Sequence, residues 1–268
     1  MVVSILGCGW FGQGLAASLV GQGIKVNGST TSQTKLAVLQ AANIDAYLID
    51  IISPETSTID TSFFICDTLV IANNVRMNNA EAYLIKIKCT IGLILRAGIK
   101  KLIFISSTSV YGEPGMRVNE STQPTPITMA SKLLLQAEKL LQAQPSFNTT
   151  IIRFGGLVGP GREPANFFAG KINIPNGDAP VNLIHLEDCI GITETIILSD
   201  HGSFIVNAVA PHHPTKKEFY TAAAKKAGLA IPEFISKKNK WKIVDSIYVT
   251  EPLKYEFKID DWFTWLAG

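Results

Sequence analysis

Short apolar runs alternate with longer amphipathic stretches along most of this chain. Runs of four to eight residues rich in Val, Ile and Leu favour buried strands, and the stretches between them have helical spacing. Because parallel strands are joined by crossover helices, this alternation predicts an α/β fold, a doubly wound parallel sheet covered on both faces. The predicted strands span residues 2–6, 24–28, 46–51, 68–72, 101–106, 150–154 and 204–208.

The helical stretches carry recognisable start signals. Thr125 before Pro126 matches an N-cap followed by a proline at the first helical position, and Thr215 with Glu218 matches a capping box. Asp188 is expected to cap a helix that begins at Cys189. The predicted helices span residues 12–20, 33–41, 79–97, 126–143 and 189–198, with one more after Thr215.

The composition changes after the sixth predicted strand. Residues 155–180 are rich in Gly, Pro and Asn, which predicts loops over a cleft. We therefore expect a sheet domain over residues 1–210, with cleft loops at 155–182, and a small C-terminal cap over 211–268. The cap has too few elements to bury a core of its own and should pack on the carboxyl edge of the sheet, on the substrate side.

Charge and cysteine usage exclude several classes of protein. A net charge of +2 without a basic run longer than short pairs argues against a nucleic-acid partner. The four cysteines lie far apart, so neither a metal site nor a disulfide framework is predicted. The apolar N-terminus has no basic flank and runs into glycines, and the other apolar stretches are too short to span a bilayer. These features predict a cytoplasmic protein without a membrane partner.

The run Gly7-Cys8-Gly9-Trp10-Phe11-Gly12 directly follows the first predicted strand and opens the first helix. In this G-x-G-x-x-G pattern Gly7 permits a tight turn, Gly9 lets the backbone approach a pyrophosphate, and Gly12 allows close helix–strand packing. The free N–H groups at the helix start, around Trp10 and Phe11, would then face the phosphates. A dinucleotide-binding turn is predicted, and an ordinary glycine-rich turn is the alternative.

The end of the second strand bears on the choice between NAD and NADP. An NAD site usually places Asp or Glu here, and residues 26–32 contain neither. Ser29, Thr30 and Lys35 are instead candidates to contact a 2′-phosphate, so NADP is expected at least as readily as NAD. The hydroxyl residues could equally cap the second helix. Asp50, after the third strand, is expected beside the adenine or, alternatively, as a turn cap.

Further motifs resemble one large family when they are taken together. With the glycine turn, the chain resembles the short-chain dehydrogenase/reductase superfamily, in its extended branch of NAD-dependent epimerases and dehydratases. The motifs are Ile105-Ser106-Ser107-Thr108-Ser109-Val110-Tyr111-Gly112, residues 124–138, Arg153-Phe154-Gly155-Gly156-Leu157-Val158-Gly159-Pro160-Gly161-Arg162 and Val181-Asn182-Leu183-Ile184-His185-Leu186-Glu187-Asp188.

The resemblance implies catalytic positions and also a departure from the family pattern. It places the family's catalytic Ser at Ser107 and its Lys at Lys132, whereas the Tyr four residues before the Lys is Thr128. A Tyr hydroxyl has an ordinary pKa near 10 that a neighbouring Lys can lower, whereas an aliphatic hydroxyl ionises far less readily. Lys132 would still bind the ribose hydroxyls of the cofactor.

Other side chains are candidates to replace the missing acid or base. Tyr111 is the first of these because it lies close to Ser107, and Glu113, Cys8 and Trp10 are further candidates. Packing against the following loop is the alternative for Tyr111.

Two more residues lie where the family binds its substrate. Arg162 is a candidate to hold a phosphate or carboxylate bidentately, and an exposed surface arginine is the alternative. His185 is a candidate to line the cleft, and a structural histidine that anchors its loop is the alternative.

The sequence thus predicts an NAD(P)-binding protein of the epimerase, dehydratase or reductase type. Its expected partner is a small polar substrate, with a nucleotide sugar among the candidates, and a homodimer is the candidate oligomer. The alternative is a non-catalytic NADP-binding redox sensor or regulatory protein.

Overall fold

The computed structural model describes residues 1–51, 59–73 and 80–268 and confirms the predicted parallel sheet. Its seven strands each correspond to one predicted strand. They are β1 (Val2–Leu6), β2 (Lys25–Thr30), β3 (Asp45–Leu48), β4 (Thr68–Ile71), β5 (Lys101–Ser107), β7 (Asn148–Phe154) and β10 (Ile205–Ala208). All seven are parallel and lie in the order β10-β7-β5-β4-β1-β2-β3.

Helices cover both faces of this sheet, as a doubly wound fold requires. One face is buried by α1 and α6, through side chains such as Leu15 and Ile192, and the other by α3 and α4, through Ile94 and Leu141. Each such side chain contributes roughly 1.5–3 kcal/mol on full burial. The helices are α1 (Trp10–Gly21), α2 (Gln33–Ala41), α3 (Ala80–Ala97), α4 (Met129–Gln142), α5 (Ala165–Phe168), α6 (Leu186–Leu198), α7 (Lys216–Lys226) and α8 (Trp262–Ala267). Asn79, the predicted start of α3, lies outside the described residues.

Two of the predicted helix starts are wrong. Helix α4 begins at Met129 with Thr128 as its N-cap, not at Pro126 after Thr125. Helix α6 begins at Leu186, where the His185 side chain accepts the N–H of Glu187, so Asp188 lies inside the first turn. The Thr215 capping box of α7 is confirmed.

The loops beyond the sheet contain two short pairs of parallel strands. Strand β8 (Gly156–Val158) pairs with β9 (Leu183–His185), so part of the predicted cleft-loop segment is regular. Strand β6 (Met116–Val118) pairs with β11 (Lys242–Val244), which ties the C-terminal segment to the connection between β5 and α4.

The C-terminal segment also shares a hydrophobic cluster with the cleft loops. Phe219 and Trp262 pack with Val158, Val181 and Leu183. This arrangement agrees with a segment that lies on the carboxyl edge of the sheet, and the division of the chain at residue 210 stays a prediction.

Asp188 anchors this segment and does not cap a helix. Its buried carboxylate accepts the Tyr255 hydroxyl at 2.9 Å and the backbone N–H groups of Lys258 and Ile259 at 2.7 and 3.2 Å. Burial raises the pKa of Asp188, and the three hydrogen bonds to its charged form oppose that shift.

Within the three described ranges, no helix is both long enough and apolar enough to cross a membrane.

Candidate functional site

The glycine turn lies at the carboxyl edge of the sheet, after the third strand from one side. It follows β1, whose neighbours β2 and β4 have their crossover helices on opposite faces of the sheet. Open α/β sheets bind ligands at such a switch point. Gly9 immediately precedes α1 and has no side chain to cap it, so the first N–H groups of α1 are available to a ligand.

The three glycines of the turn occupy different environments. Gly7 has a φ of +108°, and a Cβ there would collide with the Asn73 side chain. A Cβ on Gly12 would collide with the Gly7 carbonyl, which confirms the close packing of helix on turn. A Cβ on Gly9 would meet only open space. The turn is therefore closed on the protein side and open at Gly9, which fits the backbone approach that a pyrophosphate needs.

The side chains between these glycines point in different directions. The ring of Phe11 is buried edge-on against Phe154, with 5.0 Å between centroids, so Phe11 offers only its backbone to the turn. Burial raises the pKa of Cys8 to about 12 and its thiol contacts the Ile5 carbonyl, which argues against a role facing the nicotinamide. The half-buried Trp10 donates its indole N–H to the Pro160 carbonyl at 2.6 Å.

Strand β2 supports the turn from one side. Ser29 is buried, and its Oγ accepts the backbone N–H of Gly7 at 2.9 Å. The neighbouring Thr30 is also buried and accepts the N–H of Ser32 at 3.1 Å. Both hydroxyls are thus occupied within the protein, which argues against the expectation that they contact a 2′-phosphate. Lys35 is exposed on α2.

Asp50 lies beyond β3 and forms an ion pair with Lys86 of α3, with 2.8 Å between Nζ and Oδ1. Both side chains are partly exposed. The pair fixes the position of Asp50 at this end of the sheet, and its contact with an adenine stays a prediction.

A cleft of about 530 Å³ opens further along the same edge. Ser107, at the end of β5, lines it and lies two strands from β1, which corresponds to roughly 10 Å across the sheet. The Ser107 hydroxyl accepts the N–H of Ser109 at 3.1 Å. The further lining side chains include Glu113, Phe168, Lys216, Tyr220, Lys240, Trp241 and Lys242.

Three lysines and one glutamate set the charge of the cleft. Lys242 is buried and donates to the Gly112 carbonyl at 2.8 Å and to Glu113 at 2.9 Å. Burial lowers the pKa of the half-buried Lys216, and the nearby Glu113 carboxylate opposes that shift. With Glu113 paired to Lys242, the remaining lysines give the cleft a positive balance that suits an anionic ligand.

Thr128 and Lys132 lie at the start of α4. The Thr128 hydroxyl accepts the backbone N–H of Ser131 at 3.2 Å, and the Ser131 hydroxyl accepts the backbone N–H of Thr128 at 3.1 Å. The two hydrogen bonds together form a capping box. Lys132 lies one turn later and is exposed. Thr128 therefore has a structural role as the helix cap.

Tyr111 is enclosed in a buried polar network. Its hydroxyl donates to Asn207 at 3.0 Å and accepts from Arg153 at 2.8 Å, and Arg153 forms an ion pair with Glu138 at 2.6 Å. Burial raises the pKa of Tyr111, and the Arg153 charge opposes that shift. A fully enclosed hydroxyl with two partners does not reach a ligand, which argues against Tyr111 as the substitute acid or base.

Arg162 and His185 are adjacent to the glycine turn and to α6, respectively. The Arg162 guanidinium lies over the Trp10 ring, 4.8 Å from its centroid, and Arg162 is not among the residues that line the cleft. His185 is buried, caps α6 and contacts the Trp265 ring. Burial lowers its pKa, while Glu187 and Asp188 oppose that shift. The structural alternative for His185 therefore fits better than a role in lining the cleft.

The sequence did not single out the cleft residues of the C-terminal segment. Lys216, Tyr220, Trp241 and Lys242 lie in a region without a recognisable motif. Long-range contacts bring them to Ser107, through the packing of α7 on β8 and β9 and the pairing of β11 with β6. The capping box at Thr215 was the one signal nearby, since it fixes Lys216 as the first residue of α7. In the part of the chain that the structure describes, no group of three His, Cys, Asp or Glu side chains has the arrangement of a metal site.

Comparison with known families and proteins gives consistent matches. The family model described as the NAD dependent epimerase/dehydratase family matches residues 3–184. Protein YeeZ from Escherichia coli (strain K12) is 37% identical over 267 residues, which cover 97% of this chain and 96% of that protein.

Solved structures share the fold. The UDP-glucuronic acid 4-epimerase from Bacillus cereus, in complex with NAD, superposes with a TM-score of 0.81 at 16% identity, over 100% of this chain and 99% of that one. MoeE5 in complex with UDP-glucose and NAD gives a TM-score of 0.81 at 18% identity, over 99% and 96% of the two chains. At these identities the likeness establishes the Rossmann-type fold alone.

Proposed function

This chain belongs to the NAD dependent epimerase/dehydratase family, and from that premise we propose that it binds a nicotinamide dinucleotide on the glycine turn and an anionic substrate of the nucleotide-sugar type in the cleft. The observation that carries the proposal is the open position at Gly9, at the carboxyl end of the interior strand β1. The bound nicotinamide ring would supply a hydride donor or acceptor.

The backbone of the turn would hold the dinucleotide phosphates. Trp10 and Phe11 begin α1, so their N–H groups and the helix dipole favour a pyrophosphate at this point. Lys132 would contact the ribose, and Lys35 is the remaining cation near the end of β2 for a 2′-phosphate. On this basis NADP binds at least as tightly as NAD.

The cleft supports a substrate that combines negative charge with a planar ring. Its volume of about 530 Å³ lies within the range of small-molecule sites, roughly 300–1,000 Å³. Lys216 and Lys240 are suited to a phosphate or carboxylate, and the rings of Tyr220 and Trp241 are suited to a base or sugar face. The structural relatives named with UDP-glucose and UDP-glucuronic acid make nucleotide sugars the first class to test.

Ser107 and Lys132 would orient the substrate and the ribose, but the usual proton-transfer hydroxyl is missing. Thr128 stands in the place of the family's Tyr, and its hydroxyl is occupied in the capping box of α4. The same observation favours a second candidate function, a non-catalytic NADP-binding sensor whose cofactor occupancy controls a partner. The two differ in whether a nucleotide sugar is turned over.

Calorimetric titration tests the proposal directly. The wild type should bind NADP and NAD, and the loaded protein should then bind UDP-glucose or UDP-glucuronic acid. Lys216→Ala should weaken nucleotide-sugar binding by about tenfold, since a charge-assisted hydrogen bond is lost. Lys225→Ala is the matched control, because Lys225 is exposed at the other end of α7. Absence of NAD and NADP binding at millimolar concentration would show that the proposal is wrong.

A further inference from the structure

The loop after β8 is fastened to the first residue of α1. Gly159 and Gly161 have φ values of +141° and +75°, and the N–H of Arg162 closes the turn on the Gly159 carbonyl at 2.8 Å. The Pro160 carbonyl of this turn accepts the Trp10 indole N–H at 2.6 Å. The loop is therefore held against the glycine turn by a residue of the turn itself.

The same turn lies against the start of α6. A Cβ on Gly159 would come within 3.1–3.2 Å of Leu186 and His185, so the loop has little room to move away on that side. It is thus confined between the N-termini of α1 and α6. Arg162 is the last residue of this confined turn, and its backbone position is fixed accordingly.

Trp10 also fixes the side chain of Arg162. The guanidinium lies over the indole at 4.8 Å from the ring centroid, in the range of a cation–π contact. A guanidinium carries five N–H donors, and a contact between its charge and a ring leaves donors for other acceptors. Among the residues that the structure describes, none accepts a hydrogen bond from the Arg162 side chain. These donors therefore lie beside the first residue of α1 without a protein acceptor among the described residues.

We propose that Arg162, stacked on Trp10, binds the diphosphate of the dinucleotide that lies on the glycine turn. This inference rests on the proposed function and deepens it, because it moves Arg162 from the substrate to the cofactor. The N–H edge of a guanidinium can bind two phosphate oxygens at once. The free N–H groups at the N-terminus of α1 would bind the same diphosphate. Stacking means that little side-chain entropy is lost on binding, so the contribution is larger than that of a free surface arginine.

A diphosphate also occurs in nucleotide sugars, so the two sources must be separated. ADP-ribose carries the cofactor's diphosphate without the nicotinamide, and UDP carries that of the substrate. The experiment measures the Kd of ADP-ribose, NADP and UDP by calorimetry for the wild type and the variants. Arg162→Gln should raise the Kd of ADP-ribose and of NADP about tenfold or more. The Kd of UDP should stay within about twofold of the wild-type value.

Further variants separate charge from stacking. Arg162→Lys keeps the charge and loses the planar fork, so it should recover part of the affinity for ADP-ribose. Trp10→Phe should raise the Kd of ADP-ribose less than Trp10→Leu does, because a phenyl ring can still form a cation–π contact with the guanidinium. Arg96→Gln, an exposed charge at the end of α3, is the control and should change none of the three Kd values.

Three results would overturn the inference. If Arg162→Gln binds ADP-ribose as the wild type does, the arginine has no role towards the cofactor. If it loses UDP and retains ADP-ribose, Arg162 belongs to the substrate. If the wild type binds neither ADP-ribose nor NADP, the proposed function fails first and the inference with it. Circular dichroism melting of each variant shows that a lost affinity is not a lost fold.

Discussion

Ser29 and Gly7 are joined by a hydrogen bond of 2.9 Å from the backbone N–H of the glycine to the serine hydroxyl. The Ser29 carbonyl also accepts the N–H of Cys8 at 2.8 Å, so one residue of β2 holds two successive N–H groups of the turn. Neither contact involves Gly9, whose Cβ position meets open space. Ser29 therefore supports the backbone of the glycine turn, and its hydroxyl is already occupied within the protein.

Replacing Ser29 with Ala should weaken the binding of NAD and of NADP by the same factor. The change removes the acceptor of the half-buried Gly7 N–H, which costs about 1 kcal/mol of unfolding free energy. Since the hydroxyl does not face a 2′-phosphate, the ratio of the two Kd values should stay as in the wild type. Chemical denaturation and calorimetry measure the two effects, and the exposed Thr31→Ala is the control. A selective loss of NADP would contradict this account.

Lys35→Ala should change the choice between NADP and NAD and leave stability unchanged, the opposite of what we expect for Ser29→Ala. The side chain is exposed on α2, so stability should hardly change, whereas NADP should lose its preference over NAD. Lys25→Ala, at the other end of β2 and paired with Asp45, provides the matched loss of charge. A wild type that clearly prefers NAD would exclude this assignment and would require an acidic partner for the ribose.

Gly9→Val should abolish dinucleotide binding while the melting temperature stays near that of the wild type. A Cβ on Gly9 meets open space and its φ is −80°, so the fold tolerates the side chain and only the ligand collides with it. Gly12→Val is the contrast, because a Cβ there collides with the Gly7 carbonyl and should destabilise the protein. If Gly9→Val binds NADP normally, the phosphates lie elsewhere.

Local patterns were sufficient to predict the sheet. Most strands of the large sheet contain a short apolar run, such as Leu69 to Ile71, because burial on both faces favours such runs where a parallel sheet is covered by helices. The glycine turn could also be predicted from the sequence, because its backbone geometry requires glycine at positions 7 and 12.

Contacts between segments that are far apart in sequence could not be predicted from local patterns. Asp188 has the residue type of a helix cap, yet its partners Tyr255, Lys258 and Ile259 arrive from the C-terminal segment. Arg162 likewise finds Trp10 across 152 positions of sequence. The start of α4 was misplaced because Thr125-Pro126 is a strong local signal, while the actual cap pairs Thr128 with Ser131 in place of the usual Glu or Gln.

His185 should make the stability of the protein depend on pH. Burial holds its pKa below the ordinary 6.5, so the unfolded chain binds a proton there more readily than the folded chain does. Unfolding free energy is therefore fully retained above about pH 6.5 and falls as the pH drops below it, by at most about 1.4 kcal/mol per pH unit for this group. His213, also held below its ordinary pKa by burial, adds a contribution of the same sign.

His185→Asn should flatten this dependence. Asn is a good N-cap, so the hydrogen bond to the Glu187 N–H is kept while the titrating group is lost. Urea denaturation between pH 7.5 and pH 5.5 should give a shallower slope than in the wild type, and the exposed His201→Asn should not change the slope. An unchanged slope in His185→Asn, or lost nucleotide-sugar binding at pH 7.5, would contradict a purely structural role.

Thr128 should limit turnover, and restoring a tyrosine there should raise it. General acid–base catalysis contributes about 10²–10⁴-fold, so the wild type should turn over UDP-glucose and UDP-glucuronic acid slowly at best. Thr128→Tyr should increase the rate at least about tenfold, even though loss of the N-cap costs about 1 kcal/mol of stability. Thr128→Phe is the matched control, since it has the same bulk and the same lost cap but no hydroxyl.

Tyr111→Phe completes the comparison, because it removes a hydroxyl that lies between Arg153 and Asn207. We expect it to lower the melting temperature, as two buried polar groups lose a partner, and to leave the specific activity of the folded protein unchanged. Fast wild-type turnover that neither Thr128→Tyr nor Tyr111→Phe alters would mean that a different group transfers the proton. Half-buried Lys216, whose pKa burial already lowers, would then be the next residue to replace.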